Sequence, residues 1–233
     1  MKKLISVTLF LFLSFLSSPI LSETPTLDDL KLKDGIYYLK NTNLPFTGEV
    51  LGEDNGSLEN GNITTERLYY KNGVIRRKVN YKDGIKHGLV EHYHNYTGEL
   101  FTRDHYNNGV SHGPSEIYHR NGRLGAKGDV KNGVQVGLWA FYYDNGLLSS
   151  KGNFKDGEQD GLWIQYHYEG QVSFKRNHKN GNEHGVYEYY LKNGKLRTTG
   201  NFKDGRKNGL WKTFKEDGSL EKVETYKDGE LVK

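Results

Sequence analysis

The sequence predicts an all-β fold, an elongated and twisted array of tandem β-hairpins of about 24 residues each. Three observations predict it. A segment of the type "FKDG" returns at an almost constant interval, its glycine always follows Asn or Asp, and apolar residues hold fixed positions between the glycines. Such periodicity is typical of repeat architectures, in which each unit packs mainly on its neighbours.

The repeat frame occupies residues 81–233 and contains six units and a terminal fragment. The starts of the units lie 25 residues apart once and 24 apart five times. The opening residues of the seven segments are Tyr81, Tyr106, Val130, Phe154, His178, Phe202 and Tyr226. So small a drift over so many units indicates one structural unit repeated without large insertions.

Three glycines recur in each unit and mark its turns. The first follows Asn or Asp, as in Asp156-Gly157, and this pair tolerates the positive φ angles of a tight hairpin turn. The second comes four residues later and is expected to open the next strand, as at Gly161. The third, such as Gly170, is expected in a second turn. Each unit is therefore predicted to be one two-stranded hairpin.

Two columns of side chains are expected to form the packed inner row of the sheet. One residue after the second glycine stand Leu89, Pro114, Leu138, Leu162, Val186 and Leu210. Five residues after it stand Tyr93, Tyr118, Tyr142, Tyr166, Tyr190 and Phe214. Side chains alternate along a strand, so an offset of four residues places both columns on one face.

A third column is the candidate functional site. It lies two residues after the second glycine and consists of Trp139, Trp163, Tyr187 and Trp211. Its parity places it on the opposite face from the leucine column. Two interpretations stay open: an exposed strip that binds a partner, since Trp and Tyr dominate interface hot spots, or cross-strand packing.

The segments outside this frame are assigned separately. Residues 23–80 contain degenerate copies of the repeat and are expected to form an N-terminal cap. Residues 1–22 have two lysines, the apolar run Leu4–Leu16 and then small residues, which is the order of a secretory signal peptide. We expect a periplasmic or secreted protein, with an uncleaved N-terminal membrane anchor as the alternative.

Composition restricts the function further. The chain has no cysteine, so it has no disulfide, thiolate metal site or cysteine nucleophile. Its formal net charge is +4 with both signs interspersed, which gives nucleic-acid binding little electrostatic support. With 29 glycines, 17 tyrosines and 34% hydrophobic residues, the chain suits a thin, half-exposed sheet better than a thick aliphatic core.

Neither metal, cofactor nor catalytic chemistry is expected. The histidines occupy repeat columns, and the pair His92 and His94 lacks a third ligand. The glycine-rich segment Gly157–Gly161 lacks the lysine and serine or threonine of a nucleotide-binding loop, and no helix is predicted after it. No "GxSxG" nucleophile motif is present.

The segment 132–166 resembles the MORN-repeat variant, and Pro45–Val50 followed by the repeat units resembles the YwqK family of toxin–antitoxin antitoxins. The resemblance covers about residues 33–233. It implies a non-enzymatic β-hairpin array that sequesters a protein partner, such as a toxin or an envelope protein. An exported antitoxin would meet such toxins in the envelope. A membrane surface or an envelope polymer is the alternative partner, and self-association through the sheet edges is a further possibility.

Overall fold

The structure is a computed structural model that describes residues 24–34, 36–40, 44–50, 54–59 and 62–232. The predicted signal peptide lies outside the described residues. Within those ranges the regular structure consists of β-strands and one 3₁₀ turn, Leu27–Asp29, with no α-helix. Accordingly, the described part of the chain offers no helix with the length and apolarity to cross a membrane.

The described residues form nineteen strands, which follow one another in chain order. They are β1 Leu30–Lys33, β2 Ile36–Leu39, β3 Gly48–Val50, β4 Asp54–Glu59, β5 Asn62–Tyr69, β6 Ile75–Lys82, β7 Ile85–Tyr93, β8 Leu100–Asn107, β9 Val110–Tyr118, β10 Leu124–Lys131, β11 Val134–Tyr142, β12 Leu148–Lys155, β13 Glu158–Tyr166, β14 Val172–Lys179, β15 Asn182–Tyr190, β16 Leu196–Lys203, β17 Arg206–Phe214, β18 Leu220–Lys227 and β19 Glu230–Leu231.

Strands β3 to β19 form one long antiparallel sheet, in which each strand pairs with the strand that follows it in the sequence. Strands β1 and β2 form a separate two-stranded sheet. Because each inner hairpin of the long sheet pairs on both sides with its sequence neighbours, its backbone groups are hydrogen-bonded without any long-range crossover. The predicted all-β array of tandem hairpins is confirmed.

The Asp-Gly and Asn-Gly pairs form tight hairpin turns with positive φ at both residues, for example 51° at Asp156 and 84° at Gly157. This geometry matches the right-handed twist of the flanking strands. The Gly157 amide donates a hydrogen bond of 3.1 Å to the Gln135 carbonyl of the preceding hairpin. The same hydrogen bond recurs at the first glycine of each unit from Gly109 to Gly229. These glycines therefore join neighbouring hairpins at one end of the strands.

The second glycine was expected to open a strand, but it lies inside one. Strand β13 begins at Glu158, and Gly161 has a φ of 73° within it. Between the pairs Lys151–Ile164 and Asn153–Asp160, one residue of β12 faces three of β13. This bulge sharpens the local twist and re-aims the side chains that follow it.

The third turn is also repeated and is held by side chains. In the turn after β11, the Tyr143 amide donates to the Leu147 carbonyl at 2.8 Å and the Asn145 carboxamide accepts from the Leu147 amide at 2.9 Å. The Asn145 side chain then donates to the Tyr168 carbonyl, 3.0 Å away in the next turn. Hydrogen bonds therefore link neighbouring repeats at both ends of the strands.

The N-terminal region packs against the start of the long sheet. Leu30, Phe46, Val50 and Leu58 form one buried cluster, and Tyr37, Leu39 and Ile63 pack around it. This cluster joins the β1–β2 hairpin to strands β3 to β5. The sheet itself runs without a break through residue 80, where the cap was predicted to end, because β6 spans Ile75–Lys82.

Candidate functional site

We call the third column, Trp139, Trp163, Tyr187 and Trp211, the aromatic ladder. Its three tryptophans are buried, with exposed fractions of 2% at Trp139 and 5% at both Trp163 and Trp211. Tyr187 is half-buried. We call the face that carries this ladder the tryptophan face. Burial favours packing over an exposed strip as the role of these rings. Whether a partner touches the ladder stays a prediction.

A glycine on the neighbouring strand makes room for each indole. A Cβ atom added at Gly152 would lie 2.3 Å from the Trp163 ring, and the pairs Gly128–Trp139 and Gly200–Trp211 show the same 2.3 Å approach. Each indole also donates a hydrogen bond to a backbone carbonyl, at 3.0 Å from Trp163 to Asn153. The ring thus lies flat on the backbone, where only glycine leaves space.

The one tyrosine of the ladder has a different neighbour. Arg176 stands where the three tryptophan repeats have glycine, and it pairs with Tyr187 in the register of β14 and β15. Its guanidinium lies 5.8 Å from the Tyr187 ring centroid and 4.4 Å from that of Phe174. The side chain of the arginine therefore fills the space that the smaller ring leaves. Glycine is replaced by arginine in the same repeat in which tryptophan is replaced by tyrosine. Sequence reasoning missed this correlated change.

Further rings connect the ladder along the tryptophan face. Phe154 meets Trp163 edge-on with 5.1 Å between ring centroids, and Phe202 meets Trp211 in the same way at 5.1 Å. Tyr187 lies 5.2 Å from Trp211. Edge-to-face pairs at these distances stabilise a surface beyond the area they bury.

The leucine column, by contrast, is exposed. Its members in the last four repeats, Leu138, Leu162, Val186 and Leu210, are 61%, 46%, 47% and 56% exposed. The expectation that this column forms the packed inner row is wrong. Parity placed the leucines opposite the tryptophans, as observed, but the larger rings and their glycine partners bury the other side. We call the side with these four residues the leucine face.

A row of charged residues crosses the leucine face, because every second residue along a strand points to the same side. The registers connect Lys78, Glu91, Arg103, Glu116, Lys127, Ala140, Lys151, Ile164, Lys175, Glu188, Thr199, Lys212 and Val223. The sequence analysis missed this row, although each member stands three residues after the second glycine or three before the opening residue of a unit.

Ion pairs neutralise the first part of this row, and tyrosine hydroxyls donate hydrogen bonds to its carboxylates. Glu91, a mostly buried carboxylate, accepts two hydrogen bonds of 3.1 Å from Arg103 and one of 2.9 Å from the Tyr93 hydroxyl. The contact with Glu91 raises the pKa of Arg103 above its usual value. Burial, together with the carboxylates beside them, raises the pKa of Tyr93 and Tyr118.

The histidines have structural contacts rather than a common centre. His119 and His167 each place Nε2 at hydrogen-bond distance from a carbonyl of the next repeat, 2.8 Å from Tyr142 and 3.0 Å from Tyr190. The pKa of His92 is lowered chiefly by burial and by nearby arginines. Among the residues that the structure describes, no three histidine or acidic side chains lie together in a way that could hold a metal ion.

The chain was compared with known proteins. Residues 64–83, 135–156, 159–180, 183–204 and 207–228 match the family model described as MORN repeat variant. No curated protein sequence matches the chain. An alternansucrase in complex with isomaltononaose is similar in structure at 16% identity and a TM-score of 0.20, over 83% of this chain and 16% of that one. That likeness is too low to indicate fold or function. The chain is therefore a repeat protein, and five of its segments match the MORN repeat variant model.

Proposed function

We propose that the protein is an exported, non-enzymatic scaffold that binds another protein along its sheet. The exposed leucine column carries the proposal. Four aliphatic side chains, 46% to 61% exposed, stand one per repeat on the leucine face. Scattered exposed leucines are ordinary, but a periodic column of them on an extended surface is the kind of patch that protein interfaces use.

The rigidity of the sheet supports the same role. The tryptophan face is packed by large rings, and both turn edges are hydrogen-bonded between repeats. The leucine face is therefore presented by a preorganised backbone, which lowers the ordering cost of binding. The histidines at the third turns donate to or accept from backbone groups, so their place in the repeat has a structural explanation that requires no catalysis.

The antitoxin role is the more specific form of this proposal. Sequestration of a toxin or an envelope protein needs an extended complementary surface and no reaction, which agrees with the exposed column. Export would place the encounter in the bacterial envelope. This part of the proposal draws on the resemblance to the YwqK family and on the leader-like N-terminal segment.

A pull-down from envelope extracts tests the scaffold role. The variant Leu138→Ser/Leu162→Ser/Leu210→Ser should lose the captured partner while keeping its β-sheet circular dichroism. A matched control, Val110→Ser/Val134→Ser, removes two comparably exposed aliphatics, at 46% and 43%, beside the Asp-Gly-type turns. The control should retain the partner. Equal recovery by the folded leucine variant would contradict the proposal.

An anionic membrane surface is a second candidate, favoured by lysines that stand beside the exposed leucines on the leucine face. Clustered basic residues attract anionic lipid headgroups. Flotation with vesicles of phosphatidylglycerol and phosphatidylethanolamine tests it. Recovery of the wild-type protein with the vesicles, lost in the leucine variant, would support this candidate, and its absence would exclude it.

A further inference from the structure

The charged row on the leucine face is balanced in its first half and basic in its second. From β6 to β9 it alternates Lys78, Glu91, Arg103 and Glu116, with closest oxygen–nitrogen distances of 4.0, 3.1 and 3.4 Å between neighbours. Each charge there has a partner of opposite sign. No net charge remains for a ligand to meet.

From β10 to β17 the row holds four lysines, Lys127, Lys151, Lys175 and Lys212, and one acid, Glu188. Glu188 pairs with Lys175 at 3.5 Å. Within the described part of the chain, no carboxylate forms an ion pair with the other three. Lys127 and Lys212 are exposed and Lys151 is half-buried, so three lysines without an ion pair stand among exposed leucines, with Glu116 opposite Lys127 in the register.

The lysines and the leucines have one common spacing. Lys127, Lys151 and Lys175 stand on β10, β12 and β14, and the leucine column occupies β11, β13, β15 and β17. Paired strands lie about 4.8 Å apart, so members of each set repeat at about 9.6 Å across the strands. The two sets run parallel and are offset by one strand.

This spacing selects the conformation of a partner that lies across the strands. An α-helix rises about 1.5 Å per residue, so residues seven apart lie on one face at about 10.5 Å. In an extended strand, residues on one face repeat at about 6.7 or 13.4 Å, and neither value fits. A helix with apolar and acidic residues each repeating every seven positions matches both rows.

On the basis of the scaffold role proposed above, we propose that the leucine face from β10 to β17 binds an acidic amphipathic α-helix of the partner protein. The helix lies across the strands, its apolar residues on the leucine column and its carboxylates on Lys127 and Lys151. Opposite charges across the interface would align the helix in register and speed its association. The neutral first half of the face would not attract it.

Zero-length crosslinking of the captured complex tests this directly. A carbodiimide joins a lysine amine to a carboxylate only where the two touch. We expect crosslinks from Lys127 and Lys151 to Asp or Glu residues of one partner segment that lie seven positions, or a multiple of seven, apart. Crosslinks to acids without that spacing, or none from these lysines, would overturn the helix assignment.

Charge reversal gives the quantitative arm. Lys127→Glu/Lys151→Glu should weaken binding of the purified partner by about tenfold or more, and added salt should weaken the wild type alone toward the same value. Lys131→Glu/Lys179→Glu makes the same charge change at exposed positions beside the Asn-Gly turns and should have a much smaller effect. Equal effects of the two variants would overturn the site.

The results separate the two proposals. Capture that depends on the leucine column but not on these lysines would leave the scaffold role standing and reject the acidic helix. Wild-type protein that captures no partner at all would contradict the scaffold role, and the acidic helix with it.

Discussion

The repeats before and after β10 build one sheet from different side-chain pairs. At the bulge behind the second glycine, the first unit pairs Val79 with Val90, and the second pairs Asp104 with Ser115 through a hydrogen bond of 2.6 Å. The later units pair glycine with tryptophan in three of four cases. The same backbone thus accepts apolar, polar or aromatic filling, provided that the two members of the pair are complementary in size.

The opposite side of the sheet differs as well. The early repeats place a connected ion-pair network there, whereas the later ones place unpaired lysines and exposed aliphatics. The comparison suggests a division in which the later repeats have a surface free for binding, and the early repeats use both sides for cohesion.

The largest predicted contrast is between shortening Trp163 in a later repeat and shortening Val90 in an early one. Trp163→Ala should lower the free energy of unfolding by about 3–5 kcal/mol, because it opens a large cavity over Gly152. Val90→Ala, at an equivalent site that is 2% exposed, should cost about 2 kcal/mol. Urea denaturation measures both. Equal losses would contradict the view that the tryptophans dominate the later repeats.

The glycine opposite the indole is the second test. Gly152→Arg should destabilise the protein by about 1–3 kcal/mol, because its side chain collides with the Trp163 ring. Adding Trp163→Tyr recreates the natural Arg176–Tyr187 pair and should recover part of that loss. A double-mutant cycle in denaturant gives the coupling energy. Additive effects of the two changes would show that the pair is not complementary.

The ion-pair network provides a third and smaller contrast. Glu91→Gln removes the more buried of the two carboxylates that Arg103 contacts and should cost about 1.5–3 kcal/mol. Glu188→Gln, at the corresponding site of a later repeat, removes an ion pair with Lys175 that is more exposed to solvent. It should cost less than about 1 kcal/mol. Thermal unfolding at low and high salt distinguishes them, and the reverse order would contradict the proposed division.

The smallest effect is a dependence on pH. Burial beside Trp163 lowers the pKa of His178 below its ordinary 6.5. The unfolded chain then takes up the proton first, so this residue reduces stability as the pH falls below 6.5. His178→Phe, which copies Phe154 and Phe202, should remove that contribution. Urea midpoints above and below this pH measure it, and an unchanged difference between the two would refute it.

The period, the hairpin turns and the segregation of the two columns could all be predicted from the sequence. Asp-Gly and Asn-Gly fix turns through local backbone geometry, and strand parity separates leucine from tryptophan. Parity does not say which face is buried. That choice depends on Gly152 and its counterparts, which meet the rings only through the bulge register.

The charged row on the leucine face was missed for a related reason. Its members come alternately from the two strands of each hairpin, so Lys127 and Lys151 become neighbours of the leucine column only when the registers are known. Bulges at every hairpin change the simple count of residues between strands. The sequence therefore separated two faces of the sheet, but the exposed one could be identified only from the registers.

The three tryptophans of the chain all belong to the aromatic ladder, so tryptophan fluorescence reports on the tryptophan face alone. Acrylamide quenching of the native protein is the most direct measurement of which face is packed. Blue-shifted emission and quenching far weaker than in urea are expected, and Leu162→Trp should add a strongly quenched component. Native tryptophans quenched as efficiently as unfolded ones would contradict the assignment of the two faces.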